Sequence, residues 1–244
     1  MPRRARVTMG AVPHHVVQRG HNRQATFFAD EDYHTYLHGL KEGALRYGCA
    51  VHAYVLMTNH VHLLLTPANE EGLSELMRYL GSRYVQYVNF VYRRRGTLWE
   101  GRFKSCMVDA ESYLLRCYRY IELNPVRASM VERPEDYRWS SYACHAQGKA
   151  DGLIQDPPLY QALGATDETR REAYRELFRY ELDQDALTDI RGSLNRGLVL
   201  GAERFKDEVE AAVARAVRAG KPGRRKAQGA NGIEGEQLSL QLKE

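Results

Sequence analysis

Residues 49–66 read CAVHAYVLMTNHVHLLLT, two β-rich runs on either side of Thr58-Asn59-His60. Val, Tyr and Leu dominate both runs, and Thr-Asn between them is turn chemistry, so the stretch predicts a tight β-hairpin. His60 and His62 open the second run at i and i+2. Side chains alternate along a strand, so both imidazoles point to one face and Val61 to the other. Two ring nitrogens placed in this way can share one divalent ion. The spacing alone does not separate a ligand pair from two ordinary histidines, although a core face would have to satisfy both rings with hydrogen bonds.

Periodicity extends the reading outward from the hairpin. Upstream, residues 13–19 (PHHVVQR) read as a strand ended by the turn Arg19-Gly20-His21-Asn22. Residues 30–47 read as a helix capped by Asp30, with Tyr33, Tyr36, Leu37, Leu40 and Ala44 at helical spacing and Gly48 as its stop. Downstream, residues 70–92 carry Leu73, Leu76, Leu80, Tyr84, Tyr87 and Val91 on one side of a long helix. Residues 96–108 read as a strand or strand-like loop. Residues 109–124 read as a helix with Asp109 as N-cap and Pro125 closing it. The order β-α-β-β-α-β followed by a helix predicts an α+β class: a ferredoxin-like or RRM-like palm, its antiparallel sheet covered by helices on one face.

Composition shifts divide the chain further. Residues 146–158 are linker-like, and helical patterns follow near 167–182, 184–195 and 202–219. The expected division is a catalytic domain over 1–148, a helical C-terminal subdomain over 159–220 and a disordered tail over 221–244. Of 244 residues, 43% are hydrophobic, enough for a packed core. Residues 1–149 hold 20 Lys/Arg against 14 Asp/Glu, +6, and the remainder 15 against 17, −2, which sum to the overall +4. A basic first domain suits a polyanion or is simply a solvated surface. The four cysteines form no CxxC pair and read as buried free thiols. No apolar run approaches the roughly 20 residues that span a bilayer, and the basic N-terminal residues precede no apolar stretch. The expected location is cytoplasmic, with no membrane partner.

In the helix predicted over 109–124, Leu114, Tyr118 and Ile121 form a core stripe, while Arg116, Tyr120 and Asn124 share a different face at i, i+4 and i+8. Against a phosphodiester, a phenol can attack, an amide can coordinate a metal and a guanidinium can hold a phosphate oxygen. The bland reading is a tyrosine-rich packing helix in a chain with 16 tyrosines. Arg93, Arg94, Arg95, Arg102 and Lys104 interleave with Trp99 and Phe103, a pattern that suits phosphates on cations and bases stacked on rings. The alternative is a solvated charge run beside two core aromatics. Arg19 and Arg23, and Arg3, Arg4 and Arg6 in the N-terminal arm, are further phosphate candidates. A second basic cluster runs from Arg215 to Lys226.

The blocks HHVVQRG, HAYVLMTNHVHLLLTP, GTLWEGRFKS and YRYIELNPVRASMV, in this order over about residues 10–145, resemble those of the single-tyrosine HUH transposases of the insertion-sequence type. In particular they resemble the REP-associated tyrosine transposases. The resemblance implies a single-stranded DNA endonuclease and strand transferase acting next to DNA hairpins, such as REP-like palindromic repeats. It implies His60 and His62 as metal ligands, Tyr120 as nucleophile and Asn124 as third ligand, a position where relatives often carry Gln. It further implies Mg²⁺ or Mn²⁺, a 5′-phosphotyrosine intermediate with a free 3′-OH, and recognition of a hairpin with a short single-stranded flank, which the DNA-contact candidates read above, Trp99 and Arg116 included, would serve. A monomer would complete the site within one chain; a homodimer could exchange Tyr120 between chains. Two alternatives are a hairpin-binding module without chemistry and a metallo-phosphodiesterase with water as nucleophile.

Overall fold

The computed structural model describes residues 6–214 and 216–218. Its first seven elements are β1 (His14–Arg19), α1 (Asp30–Arg46), β2 (Cys49–Met57), β3 (His60–Pro67), α2 (Gly72–Val91), β4 (Lys104–Met107) and α3 (Leu114–Glu122). The four strands form one antiparallel sheet in the order β2-β3-β1-β4, which is the predicted ferredoxin-like palm. Met57 pairs with His60, so Thr58 and Asn59 alone make the hairpin turn. That pairing fixes the register and hence the face to which each histidine points.

α1 and α2 cover one face of the sheet. Val16, Val61, Leu63 and Leu65 from the strands meet Tyr36, Leu40, Leu73, Leu76, Leu80 and Tyr84 from the helices, all nearly fully buried. Each leucine sealed in this seam contributes roughly 1.5–3 kcal/mol of transfer free energy. The helices touch closely at Gly43, where an added Cβ would stand 2.7 Å from Leu76 Cδ1. Gly48, at φ +62°, ends α1 in the left-handed region that glycine enters without steric cost.

The opposite face is covered as well, beyond the one-sided packing expected. Val17, Ala53, Val55 and Leu64 from the sheet pack against α3 and against helices further along the chain. These later helices are α4 (Asn124–Arg127), α5 (Tyr142–Gln147), α6 (Pro158–Gln161), α7 (Asp167–Glu176), α8 (Gln184–Arg196) and α9 (Glu203–Val213). Tyr174 of α7 and Leu187, Ile190 and Leu194 of α8 lie in the same buried cluster as Tyr118 and Ile121 of α3. The helices of residues 159–220 therefore do not build a core apart from the sheet domain. Part of the expected linker over 146–158 is helical, since α5 runs to Gln147. A fully buried carboxylate ties the layer together. Glu122 Oε1 accepts from Ser141 Oγ at 2.6 Å and His145 Nδ1 at 2.8 Å, and Oε2 accepts from the Tyr174 hydroxyl at 2.6 Å.

Two local expectations change. Of residues 96–108 only Lys104–Met107 is strand. The helix expected over 109–124 begins at Leu114, because the Asp109 carboxylate accepts from Glu111 N at 3.0 Å and Ser112 Oγ at 2.6 Å and holds a turn ahead of it. Pro125 does not stop the chain's helical course; it sits in the first turn of α4, where its missing N–H costs nothing. All four cysteines are free. Among the described residues no helix is long and apolar enough to cross a membrane. The tail over 221–244 and most of the second basic cluster lie outside the described residues, as do Arg3 and Arg4.

Candidate active site

Strand alternation brings His15, Val17 and Arg19 of β1 and His60, His62 and Leu64 of β3 to the face covered by α3, with Val17 paired to His62 and Arg19 to His60. A cleft of about 770 Å³ opens there. His60, His62, Tyr120 and Asn124 all line it, as do Arg19, Arg102 and Lys104. The Tyr120 ring stands edge-on to His62, 5.7 Å between centroids, and edge-on to His15 at 5.6 Å. The His60 and His62 rings are 5.2 Å apart. The phenol and the two imidazoles thus stand together within one chain, and Asn124 lines the same cleft.

Both histidines are held by their Nδ1 atoms. Asn59 Nδ2 donates to the Arg23 carbonyl at 3.0 Å, which orients the amide so that its Oδ1 faces His60 Nδ1 at 2.7 Å. A carbonyl oxygen only accepts, so His60 carries its proton on Nδ1 and its lone pair on Nε2. His62 Nδ1 is 2.8 Å from Nε2 of His15, a residue buried in the middle of β1. Its Nε2 has no protein partner among the described residues. Arg127 lies over the Tyr120 ring, 4.4 Å from its centroid.

The electrostatics keep these rings neutral. Burial pushes His60 down to about 4, with Arg19 adding to the effect. Burial pushes His62 well below the usual range, helped by His15 and His60, and pushes His15 down to about 3. Neutral imidazoles are the form that binds metal ions. Among the described residues no three His, Cys, Asp or Glu side chains are placed to hold a metal ion together. The residues of this lining that could hold a divalent ion are His60, His62 and Asn124, and their mixed N and O chemistry fits Mn²⁺ more readily than Mg²⁺.

Not every predicted contact residue joins the cleft. Trp99 is 5% exposed, packed against Tyr36 and Tyr84 in the α1–α2 core, so it is not a stacking platform for a base. Arg116 is exposed and turns to the Tyr113 ring at 5.0 Å; it is absent from the lining that includes Tyr120 and Asn124. Arg93, Arg94 and Arg95 follow α2 and do not line the cleft, and Arg94 faces Phe28 at 5.9 Å. Arg23 is exposed in the turn after β1, where its carbonyl orients Asn59 rather than its guanidinium lining the cleft. Sequence reading assigned no role to His15, Asn59, Arg127, Arg191 or Arg196. His15 does share the strand parity of Val17 and Arg19, but its partner across the sheet is not readable from spacing.

Three comparisons bear on this site. Residues 9–124 match the family described as "Transposase IS200 like". A Haemophilus influenzae protein, described provisionally as a REP-associated tyrosine transposase, is 25% identical over 114 residues, which span 43% of this chain. The match covers 64% of that protein, less than two thirds of its length. A solved structure of a REP-associated tyrosine transposase bound to a REP hairpin superposes with a TM-score of 0.54 at 17% identity, over 65% of this chain and 96% of that one. At that identity the superposition establishes the shared α+β fold.

Proposed function

We propose that this chain, an IS200-like transposase over residues 9–124, cuts and rejoins single-stranded DNA beside a hairpin, with Tyr120 as the nucleophile. The observation that carries the reading is the packing of the Tyr120 ring against His62, in a cleft that also holds His60 and Asn124. The hairpin as DNA partner is supported by the REP hairpin bound to the structural relative.

The chemistry follows from the residues. The Tyr120 oxygen attacks the scissile phosphorus, a P–O bond to the phenol forms, and the P–O3′ bond breaks. The phenolic proton is balanced by the proton that the departing 3′-oxygen gains, leaving a 5′-phosphotyrosine and a free 3′-OH. The energy of the broken ester is retained in the protein–DNA linkage, so rejoining to a second strand needs no nucleotide cofactor. A divalent ion held by His60 Nε2, His62 Nε2 and the Asn124 amide would neutralise charge building on the phosphate oxygens. Asn59 keeps His60 Nε2 unprotonated, and His15 holds the His62 ring through its Nδ1, so that His62 Nε2 is free to bind an ion when the shared proton sits on His62 Nδ1. Arg127 and the sheet fix the phenol so that alignment, rather than intrinsic nucleophilicity, lowers the barrier. The meeting of Tyr120 and both histidines in one chain supports a site that works within a monomer.

The test is incubation of labelled hairpin DNA bearing a single-stranded flank with the protein and Mn²⁺, followed by a denaturing gel. The expected result is a protein–DNA adduct that disappears in Tyr120→Phe. An adduct of undiminished yield in that variant would end the assignment. DNA bound but never cut would indicate a binding module. Cleavage to protein-free ends that survives Tyr120→Phe would indicate water as the nucleophile.

A further inference from the structure

The cleft has a second wall that the sequence did not announce. α8 turns Ala186, Leu187, Ile190 and Leu194 inward, where they are buried. Arg191, Asn195 and Arg196 are exposed and line the cleft together with Arg102 and Lys104. The wall is fixed to the sheet edge, because Lys104 Nζ donates to Asn195 Oδ1 at 2.9 Å.

The charge around this opening is unneutralised. Arg6, Arg19, Arg102, Lys104, Arg191 and Arg196 line it, against Glu100 as the one acid in the lining. Among the described residues none of these six cations forms an ion pair, whereas Arg78, Arg83, Arg133, Arg138 and Arg179 on other surfaces each face a carboxylate. Like charges crowded without acids disfavour the bare protein and favour a polyanion in the gap. Arg6, part-buried over Phe103, shows the crowding: burial and then Arg102 push its guanidinium down to about 10.

We propose that α8 is a phosphate-binding wall of the cleft, and that a DNA single strand entering the cleft lays backbone phosphates on Arg191 and Arg196. The inference rests on the reading that this cleft takes single-stranded DNA, and adds that the C-terminal helices complete the DNA channel. Residues 184–196 lie outside the segment 9–124 that matches the transposase family.

The experiment measures fluorescence anisotropy of a labelled DNA hairpin with a single-stranded flank, bound by the full chain in EDTA, at salt concentrations from 50 to 300 mM. Each phosphate contact on a single strand contributes about 0.7 to the slope of log affinity against log salt. Arg191→Gln/Arg196→Gln is expected to lower that slope by about 1.4 and to weaken binding about tenfold near 0.15 M salt. Arg191→Lys/Arg196→Lys retains the charges and is expected to keep the slope. Arg78→Gln/Arg133→Gln removes two cations that are already paired and is expected to behave as wild type. If wild type binds and the α8 glutamine variant keeps its full slope, the wall is refuted. It is equally refuted if the control pair loses as much, because net charge rather than place would then explain the effect. If wild type itself fails to bind, the reading of the cleft as a DNA site fails first, and the adduct gel reports that separately.

Discussion

Replacing His15 by leucine tests whether the site is built around its second histidine. The His15–His62 contact spans 2.8 Å between two buried rings. A metal-binding His62 must carry its proton on Nδ1 and give it to His15 Nε2. Leucine fills comparable space but leaves that N–H with no acceptor in a site closed to water, at a cost of about 1–3 kcal/mol. Loss of the outer partner of a ligating histidine lowers metal affinity by about 10–100-fold, which is about 1.4–2.7 kcal/mol, so the two lines of reasoning agree. Mn²⁺ titration of the full chain by calorimetry is expected to show this loss in His15→Leu and partial recovery in His15→Gln, whose amide oxygen can accept the same proton. In the metal-free protein, ¹⁵N shifts of the imidazoles are expected to show His62 losing its single tautomer. Asn59→Ala makes the informative contrast: Asn59 is half-exposed, water can take over its oxygen's role, and the loss is expected to be only severalfold. The reasoning is refuted if His15→Leu binds Mn²⁺ as tightly as wild type with the His62 tautomer unchanged.

Other expectations concern the frame around the site. Glu122→Ala strands three buried donors and is expected to lose at least about 3 kcal/mol in urea unfolding, whereas Glu122→Gln keeps an acceptor for Ser141 and His145 and is expected to lose about 1–2 kcal/mol; equal losses would contradict the network. Burial pushes His14 down to about 4 and His15 to about 3, so the folded protein holds fewer protons than the unfolded chain below pH 6.5. Metal-free stability is then complete about one pH unit above that value and falls as the medium is acidified, by about 3 kcal/mol for the pair between pH 6.5 and 5; flat stability over this window would count against it. Trp99→Ala is expected to destabilise the fold by about 3–5 kcal/mol while leaving the salt slope of DNA binding unchanged. A changed slope would return Trp99 to the DNA surface.

The hairpin and its two histidines were legible because strand alternation is a local property: once residues 49–66 are strands, His60 and His62 must share a face. The α1 and α2 patterns were legible for the same reason, with Gly48 marking a real left-handed stop. The tyrosine helix was legible only in part. Spacing at i, i+4 and i+8 drifts by about 80° over two turns of a 3.6-residue helix, so Arg116 and Asn124 do not share the cleft. α3 also ends at Glu122, which places Asn124 on the next turn. Trp99 was misread because an aromatic between basic residues looks alike whether it faces solvent or a core. Local sequence does not encode the tyrosines of α1 and α2 that enclose it.

What local sequence could not supply were the partners that arrive from elsewhere in the fold, and these decide how the site is assembled. His15 reaches His62 across 47 residues of sequence, and α8 reaches the cleft only after the polypeptide has covered the second face of the sheet. Because both Nδ1 atoms are already engaged by protein groups, the two rings are oriented without an ion. A site of this kind differs from a small zinc domain, in which the metal supplies folding free energy outright. The present chain has two large buried clusters independent of the histidines' outward nitrogens. Removing divalent ions should therefore leave the fold intact. Adding Mn²⁺ should stabilise it only by mass action, about 2.7 kcal/mol at a hundredfold excess over the dissociation constant. A chain that unfolded in EDTA at neutral pH would show that the histidine pair is a structural staple rather than a prepared catalytic seat.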